Sequence, residues 1–139
     1  MLKRMEHANI TVPSIDEAQQ FLKLAFPEFR ERGEGRSDRK RWVHFGTEET
    51  YIALEEMVEP TVSDRKPYQD AGINHIGLVV EDVEGISAAM SEAGYRTGEV
   101  HVEGDGPFRK RVYIFDRGGN EWEFVEYLTE HDAERNVYL

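Results

Sequence analysis

The most constraining feature of this chain is that it states one pattern twice. The stretch from Glu6, EHANITVPSIDEAQQFL, is echoed from Asn74 by NHIGLVVEDVEGISAAM. With a shift of 68 (75 minus 7), His7 falls on His75, Ile10 on Leu78, Val12 on Val80, Ile15 on Val83, Asp16 on Glu84 and Ala18 on Ile86. An internal repeat fixes architecture before any single element does, because each copy must be one supersecondary unit. Each copy reads as a strand with alternating apolar positions, a polar turn and an amphipathic helix. Ser14 and Glu17 have capping-box spacing at the start of the first helix, and Pro27 stops it. In the second copy Asp82 is an N-cap candidate, and Gly94 stands where a helix C′ glycine belongs.

Three strand-like runs follow each helix. In the first half they lie at about 28–34, at RWVHFG from Arg41 and at TYIALEE from Thr50. In the second they lie at about 96–103, at KRVYIFD from Lys110 and at EWEFVEY from Glu121. The expected order is βαβββ, twice. The boundaries are module one over 5–56, an aperiodic linker over 57–72, module two over 73–128 and a charged tail over 129–139, a short helix or a loose end.

Composition narrows the class of function. The 139 residues suit one domain or two small halves, and 39 % hydrophobic residues suffice for a core. A formal net charge of −11 disfavours nucleic acid and anionic membranes as partners. There is no cysteine, which excludes disulfides, thiolate metal sites and cysteine nucleophiles. No apolar run approaches the ~20 residues of a membrane helix, and MLKRMEHANI has no signal-peptide core, so a cytoplasmic location is expected.

The paired βαβββ pattern, the histidine opening each first strand and DRGGNEWEF from Asp116 together resemble the vicinal oxygen chelate superfamily. That superfamily includes glyoxalase I, extradiol dioxygenases, fosfomycin-resistance transferases, methylmalonyl-CoA epimerase and bleomycin-resistance proteins. The resemblance covers residues 5–128. It implies an α+β fold of two tandem βαβββ modules, with mixed sheets curled into a half-barrel cup. Arg117 and Gly118 depart from the family's common DPDGN turn, but Gly and Asn still permit the turn.

Carried over residue by residue, the resemblance implies metal ligands at His7, His75 and Glu123. A shift of 70 (123 minus 53) over the last strands sets Phe45 on Phe115, Ile52 on Trp122, Leu54 on Phe124 and Ala53 on Glu123. Module one thus carries alanine where module two carries the carboxylate, one ligand fewer than in glyoxalase I. Two histidines and one carboxylate suit Fe, Mn, Ni or Zn with open positions for water or substrate. Such a metal would polarise a small substrate that chelates through adjacent oxygens. A lyase or isomerase and a ring-cleaving dioxygenase are both consistent with this set. The alternative is a metal-free protein of the bleomycin-resistance type that binds a drug or metabolite. A fosfomycin-type thiol transferase is third, because the expected basic residues are not matched. The resemblance also implies a homodimer.

Other candidates are less specific. Tyr113 is a hydrogen-bond donor to substrate or an ordinary strand tyrosine. Asn9 and Thr11 share a strand face with His7 and, with Ala53, are pocket candidates. Glu121 lies on the face of Glu123, as a base or a supporting acid. Glu55 shares the face of Ala53 but stands about 6–7 Å along the strand, so it is a base candidate rather than a ligand. RSDRKR from Arg36 and FRKR from Phe108 are solvated charges or an anion-capture site. The loop GDGP at Gly104–Pro107 is a turn or a cover for the cup.

Overall fold

A computed structural model describes residues 2–103, 108–135 and 137. The GDGP loop lies outside them. The chain divides into two compact units, 1–64 and 65–139.

In the first unit, β1 (His7–Thr11) leads to α1 (Ile15–Ala25), then β2 (Arg30–Arg36), β3 (Lys40–Gly46) and β4 (Tyr51–Met57). The sheet order is β1-β4-β3-β2, with β1 parallel to β4 and the other pairs antiparallel. In the second unit, β5 (His75–Val79) leads to α2 (Val83–Glu92), then β6 (Arg96–Thr97), β7 (His101–Glu103), β8 (Arg109–Phe115) and β9 (Glu121–Tyr127). Its order is β5-β9-β8-β6, with β7 also on β8 and β5 parallel to β9. Both are mixed sheets, and neither closes into a barrel. The repeat therefore builds βαβββ twice, with one difference: the strand expected at about 96–103 is two short strands. The charged tail contains α3 (Asp132–Arg135).

Strand alternation sorts each sheet into two faces. One face packs under the helix. In unit one, Ile15, Phe21 and Leu22 of α1 are buried with Val43, Phe45, Ile52 and Leu54. In unit two, Val83 and Met90 of α2 are buried with Val112, Ile114, Trp122 and Phe124. The opposite face carries His7, Asn9 and Thr11 in unit one, and His75, Glu121 and Glu123 in unit two. Hydrophobic burial thus seats the helices and leaves the polar faces for chemistry.

Both helices begin as their caps predict. Ser14 Oγ accepts from the Glu17 amide at 3.3 Å, and Asp82 Oδ1 from the Gly85 amide at 2.9 Å. Gly94, at φ +84°, ends the second helix as expected. That helix has no basic residue in its last turn. Arg117 supplies the charge from outside, donating to the Ala93 and Gly94 carbonyls at 3.0 and 3.1 Å.

The turn between β8 and β9 explains DRGGNEW. Asp116 is the one buried charged side chain among the described residues. It accepts from the Asn120 amide at 2.9 Å, from Asn120 Nδ2 at 3.0 Å and from the Trp122 indole at 3.0 Å. Gly119 takes the left-handed conformation, φ +82°, while Asn120 acts as a donor. This turn corrects the expected match of β3 with β8. Phe45 pairs opposite Ile52, whereas Ile114, not Phe115, pairs opposite Trp122. Because the β8–β9 turn is one residue longer than the β3–β4 turn, the shift there is 69 (114 minus 45).

Candidate functional site

The open face of module two gathers a compact polar cluster. His75 is paired in register with Glu121, Gly77 with Glu123, and Glu123 with Tyr113. The His75 Nε2 lies 3.1 Å from Glu123 Oε2. The ring of Tyr113 meets His75 edge-on at 5.4 Å. Arg111 Nη1 stands 3.6 Å from Glu123 Oε1 and donates to the Tyr113 hydroxyl at 3.4 Å. Burial, then the nearby Glu123 charge, raises the Tyr113 phenol above its ordinary value, so it stays protonated and able to donate.

Sequence reasoning did not single out Tyr68. It lies in the stretch expected to be linker, yet its hydroxyl donates a short hydrogen bond to Glu121 Oε1 and sits 2.9 Å from His75 Nδ1. The bond to Glu121, then burial, pushes the Tyr68 pKa up to about 12. Its backbone is in the left-handed region at φ +66°, and its amide donates to Asn74 Oδ1 at 2.6 Å. Arg65 wraps the same turn, donating to the carbonyls of Asp70, Ala71 and Ile73 at 3.2, 3.1 and 2.7 Å. Such a backbone persists only where its surroundings over-determine it. The only local signal was a tyrosine among prolines and charges, and that has no periodicity.

The hydrogen bonds set the histidine tautomers. Tyr68 spends its proton on Glu121, so its oxygen accepts from His75 Nδ1–H, and the lone pair lies on Nε2. Two electron-rich atoms, Nε2 and Glu123 Oε2, then face each other at 3.1 Å. A positive species between them, a proton or a metal ion, resolves that repulsion. This donor pair fits a divalent metal, and the bond to Nδ1 is the support that metal-binding histidines ordinarily have.

Module one has a different face. His7 Nδ1 is 2.9 Å from Glu6 Oε1, which also accepts from the Tyr51 hydroxyl at 3.2 Å. The bond from His7, then that from Tyr51, lowers the Glu6 pKa, so Glu6 is an ionised acceptor and His7 also presents Nε2. The His7 ring stacks on Tyr51 at 4.7 Å. Ala53 is buried, opposite Asn9 on one side and His44 on the other. Glu55 is held by Lys40 Nζ at 2.7 Å and approached by Asn9 Nδ2 at 3.5 Å. The Lys40 bond lowers its pKa, which makes it a poorer base. Thr11 is exposed at the end of β1, opposite Glu55. A cleft of about 270 Å³ is lined by Asn9, Lys40, Trp42, His44, Ala53, Leu54 and Glu55. A cleft of about 310 Å³ beside Asp38, Arg39, Met57, Val58 and Glu59 contains neither a histidine nor an aromatic ring, and carries no site.

The structure thus brings His75, Tyr113, Glu121 and Glu123 together in module two, and His7, Asn9, Ala53 and Glu55 onto one face of module one. Among the described residues, no group of three or more His, Asp or Glu side chains stands preformed around one point. Within the two basic clusters, Arg41 reaches Asp16 at 2.9 Å, Lys40 reaches Glu55 at 2.7 Å and Lys110 reaches Glu84 at 3.2 Å. No helix is long and apolar enough to cross a membrane.

The fold agrees with comparisons against known proteins. No curated protein matches the chain. Among solved structures, a glyoxylase/bleomycin resistance protein/dioxygenase domain from Frankia sp. EAN1pec superposes with a TM-score of 0.75 at 18 % identity, covering 98 % of this chain and 100 % of that one. A glyoxalase family protein from Bacillus cereus gives 0.75 at 19 %, covering 93 % and 97 %. The fosfomycin resistance protein FosX from Listeria monocytogenes, complexed with Mn(II) and sulfate, gives 0.67 at 15 %, covering 99 % and 100 %. At these identities the likeness is one of fold. The family model named Glyoxalase/Bleomycin resistance protein/Dioxygenase superfamily matches residues 4–124, most of the chain, and on that match the chain belongs to this superfamily.

Proposed function

We propose that the chain is a divalent-metal-dependent enzyme acting on a small molecule that chelates through adjacent oxygens. The observation that carries this reading is the His75–Glu123 pair, two converging donors 3.1 Å apart with the histidine held from behind by Tyr68. His75 and Glu123 would hold the metal, and His7 stays the third ligand, and a homodimer the assembly, that the family resemblance implies. Fe, Mn, Ni or Zn suits such a set, and when bound it supplies Lewis-acid polarisation of the substrate oxygens. The Mn(II) in the FosX structure is a precedent on the same fold.

The chain's own groups then have distinct tasks. Tyr113 donates a hydrogen bond to a substrate oxygen. Arg111 holds Glu123 from the far side and adds positive potential where anionic character develops. Glu121 fixes Tyr68 and through it the His75 ring, a positioning task rather than that of a base. Glu55 is occupied by Lys40, and Asn9 and Ala53 line the space beside it. A lyase or isomerase fits this set, as does a ring-cleaving dioxygenase. The fosfomycin-type thiol transferase ranks after both.

Metal content after reconstitution with each of the four metals tests the reading. One tight metal per chain, lost in His75→Ala and Glu123→Ala, is the expected result. No metal in any case would overturn it and favour the second reading, a metal-free binder of the bleomycin-resistance type. The observation behind that second reading is the module-one cleft, which has a ring wall and no carboxylate at position 53.

A further inference from the structure

The open face of module one carries a feature that metal chemistry does not use. Trp42 on β3 pairs in register with Gly35 on β2, and His44 with Gly33. A Cβ on Gly35 would fall 2.6 Å from Trp42 Cε2, and one on Gly33 would lie 3.8 Å from Cζ3 and Cη2 of the same ring. The indole therefore lies against the backbone of β2 across two glycines, in space that a side chain at position 35 would fill. His44 tilts against it at 4.9 Å, Tyr51 stacks on His44 at 4.7 Å, and the Arg32 guanidinium covers Tyr51 at 4.2 Å. Trp42 is thus a braced ring, half-buried, that also lines the cleft.

The rest of the cleft defines what would stack there. Ala53 sets a methyl where module two carries Glu123. Lys40 and Glu55 neutralise each other at 2.7 Å, so the cleft selects no net charge. With Asn9 they set donors and acceptors side by side along one edge. Its 270 Å³ equals roughly nine water volumes, room for a one- or two-ring ligand and little more.

We propose that this face is a binding site for a flat, neutral heteroaromatic ring with an N–H donor beside a carbonyl acceptor. The ring stacks on Trp42, which His44 braces, and its polar edge meets Lys40, Glu55 and Asn9. The site goes beyond the proposed metal chemistry and stands independently of it. Binding itself uses no residue of module two and no metal.

The test uses the full chain, ¹⁵N-labelled and held in a chelator, with quinolin-2(1H)-one as probe. Its controls are piperidin-2-one, the same edge without a flat ring, and N-methylquinolinium, a flat cation without the edge. The chain has two indole N–H groups, and Trp122 is buried on Asp116, so it reports folding while Trp42 reports the site. The expected result is a saturable ring-current shift of the Trp42 signal with quinolinone alone. Gly35→Ala should weaken binding about tenfold, with the Trp122 signal unmoved. An equal response to piperidin-2-one, tighter binding of N-methylquinolinium, or unchanged affinity in Gly35→Ala would each overturn the proposal. A parallel metal titration of wild type and His75→Ala keeps failure of the metal reading separate from failure of this one.

Discussion

In module one the amide of Ile15 donates to Glu56 Oε2 at 2.8 Å, and in module two the amide of Val83 donates to Glu126 Oε2 at 3.0 Å. Arg41 reaches Asp16 at 2.9 Å, and Lys110 reaches Glu84 at 3.2 Å. Each last strand thus anchors its helix N-terminus with a carboxylate, and each next-to-last strand ties the first helical turn with a cation. On the open faces nearly every equivalent pair differs. Asn9 answers to Gly77, Trp42 to Arg111, His44 to Tyr113 and Ala53 to Glu123. Even the histidine supports are reordered: His7 rests on Glu6 and then Tyr51, His75 on Tyr68 and then Glu121. The scaffold contacts recur in both modules. The open faces differ between the two copies, and the proposals give them different tasks: metal ligation in module two and ring stacking in module one.

The sharpest stability contrast is between the two hairpin turns. Thr47 Oγ1 holds the β3–β4 turn through the Glu49 and Thr50 amides at 3.3 Å, where Asp116 holds the β8–β9 turn from a buried position. Asp116→Ala orphans the Trp122 indole and should cost about 3 kcal/mol in denaturant unfolding, against about 1 kcal/mol for Thr47→Ala. Equal costs would break the contrast. Metal ligation comes next. Glu123→Ala should weaken metal binding at least about 100-fold, while His44→Ala in module one leaves it unchanged. Tyr68→Phe keeps the ring but loses the bridge to His75, and a drop in metal affinity of about tenfold is expected by competition with a chelating dye.

Smaller effects test the shared scaffold. Glu56→Gln and Glu126→Gln should each cost about 1 kcal/mol, and a large inequality in thermal unfolding would show that the helix anchors are not equivalent. The smallest concerns pH. The Lys40 ammonium holds the Glu55 carboxyl below its ordinary value. A depressed carboxyl contributes stability above its unfolded pKa and loses it as pH falls through the folded one. Below about pH 4.5 wild type should therefore lose stability faster than Glu55→Gln. Module two has Val125 at this position, so Val125→Ala should leave the slope unchanged.

The sequence by itself determined the two modules, the order of their strands and helices apart from the division of the strand expected at about 96–103, the capping residues and the alanine–glutamate asymmetry. These follow from periodicity and from residues acting on neighbours a few positions away, which a linear repeat preserves. Tertiary structure decided the rest. The 69-residue shift between β3 and β8 came from turn length, because one extra residue in a hairpin moves every pairing on one strand. Tyr68 reached His75 through a left-handed turn braced by Arg65, with no period to announce it. Trp42 became a braced ring only because the ladder set it opposite Gly35. Contacts across a sheet depend on register, and register is settled by the hydrogen-bond ladder and the packed face beneath it rather than by any one stretch of chain.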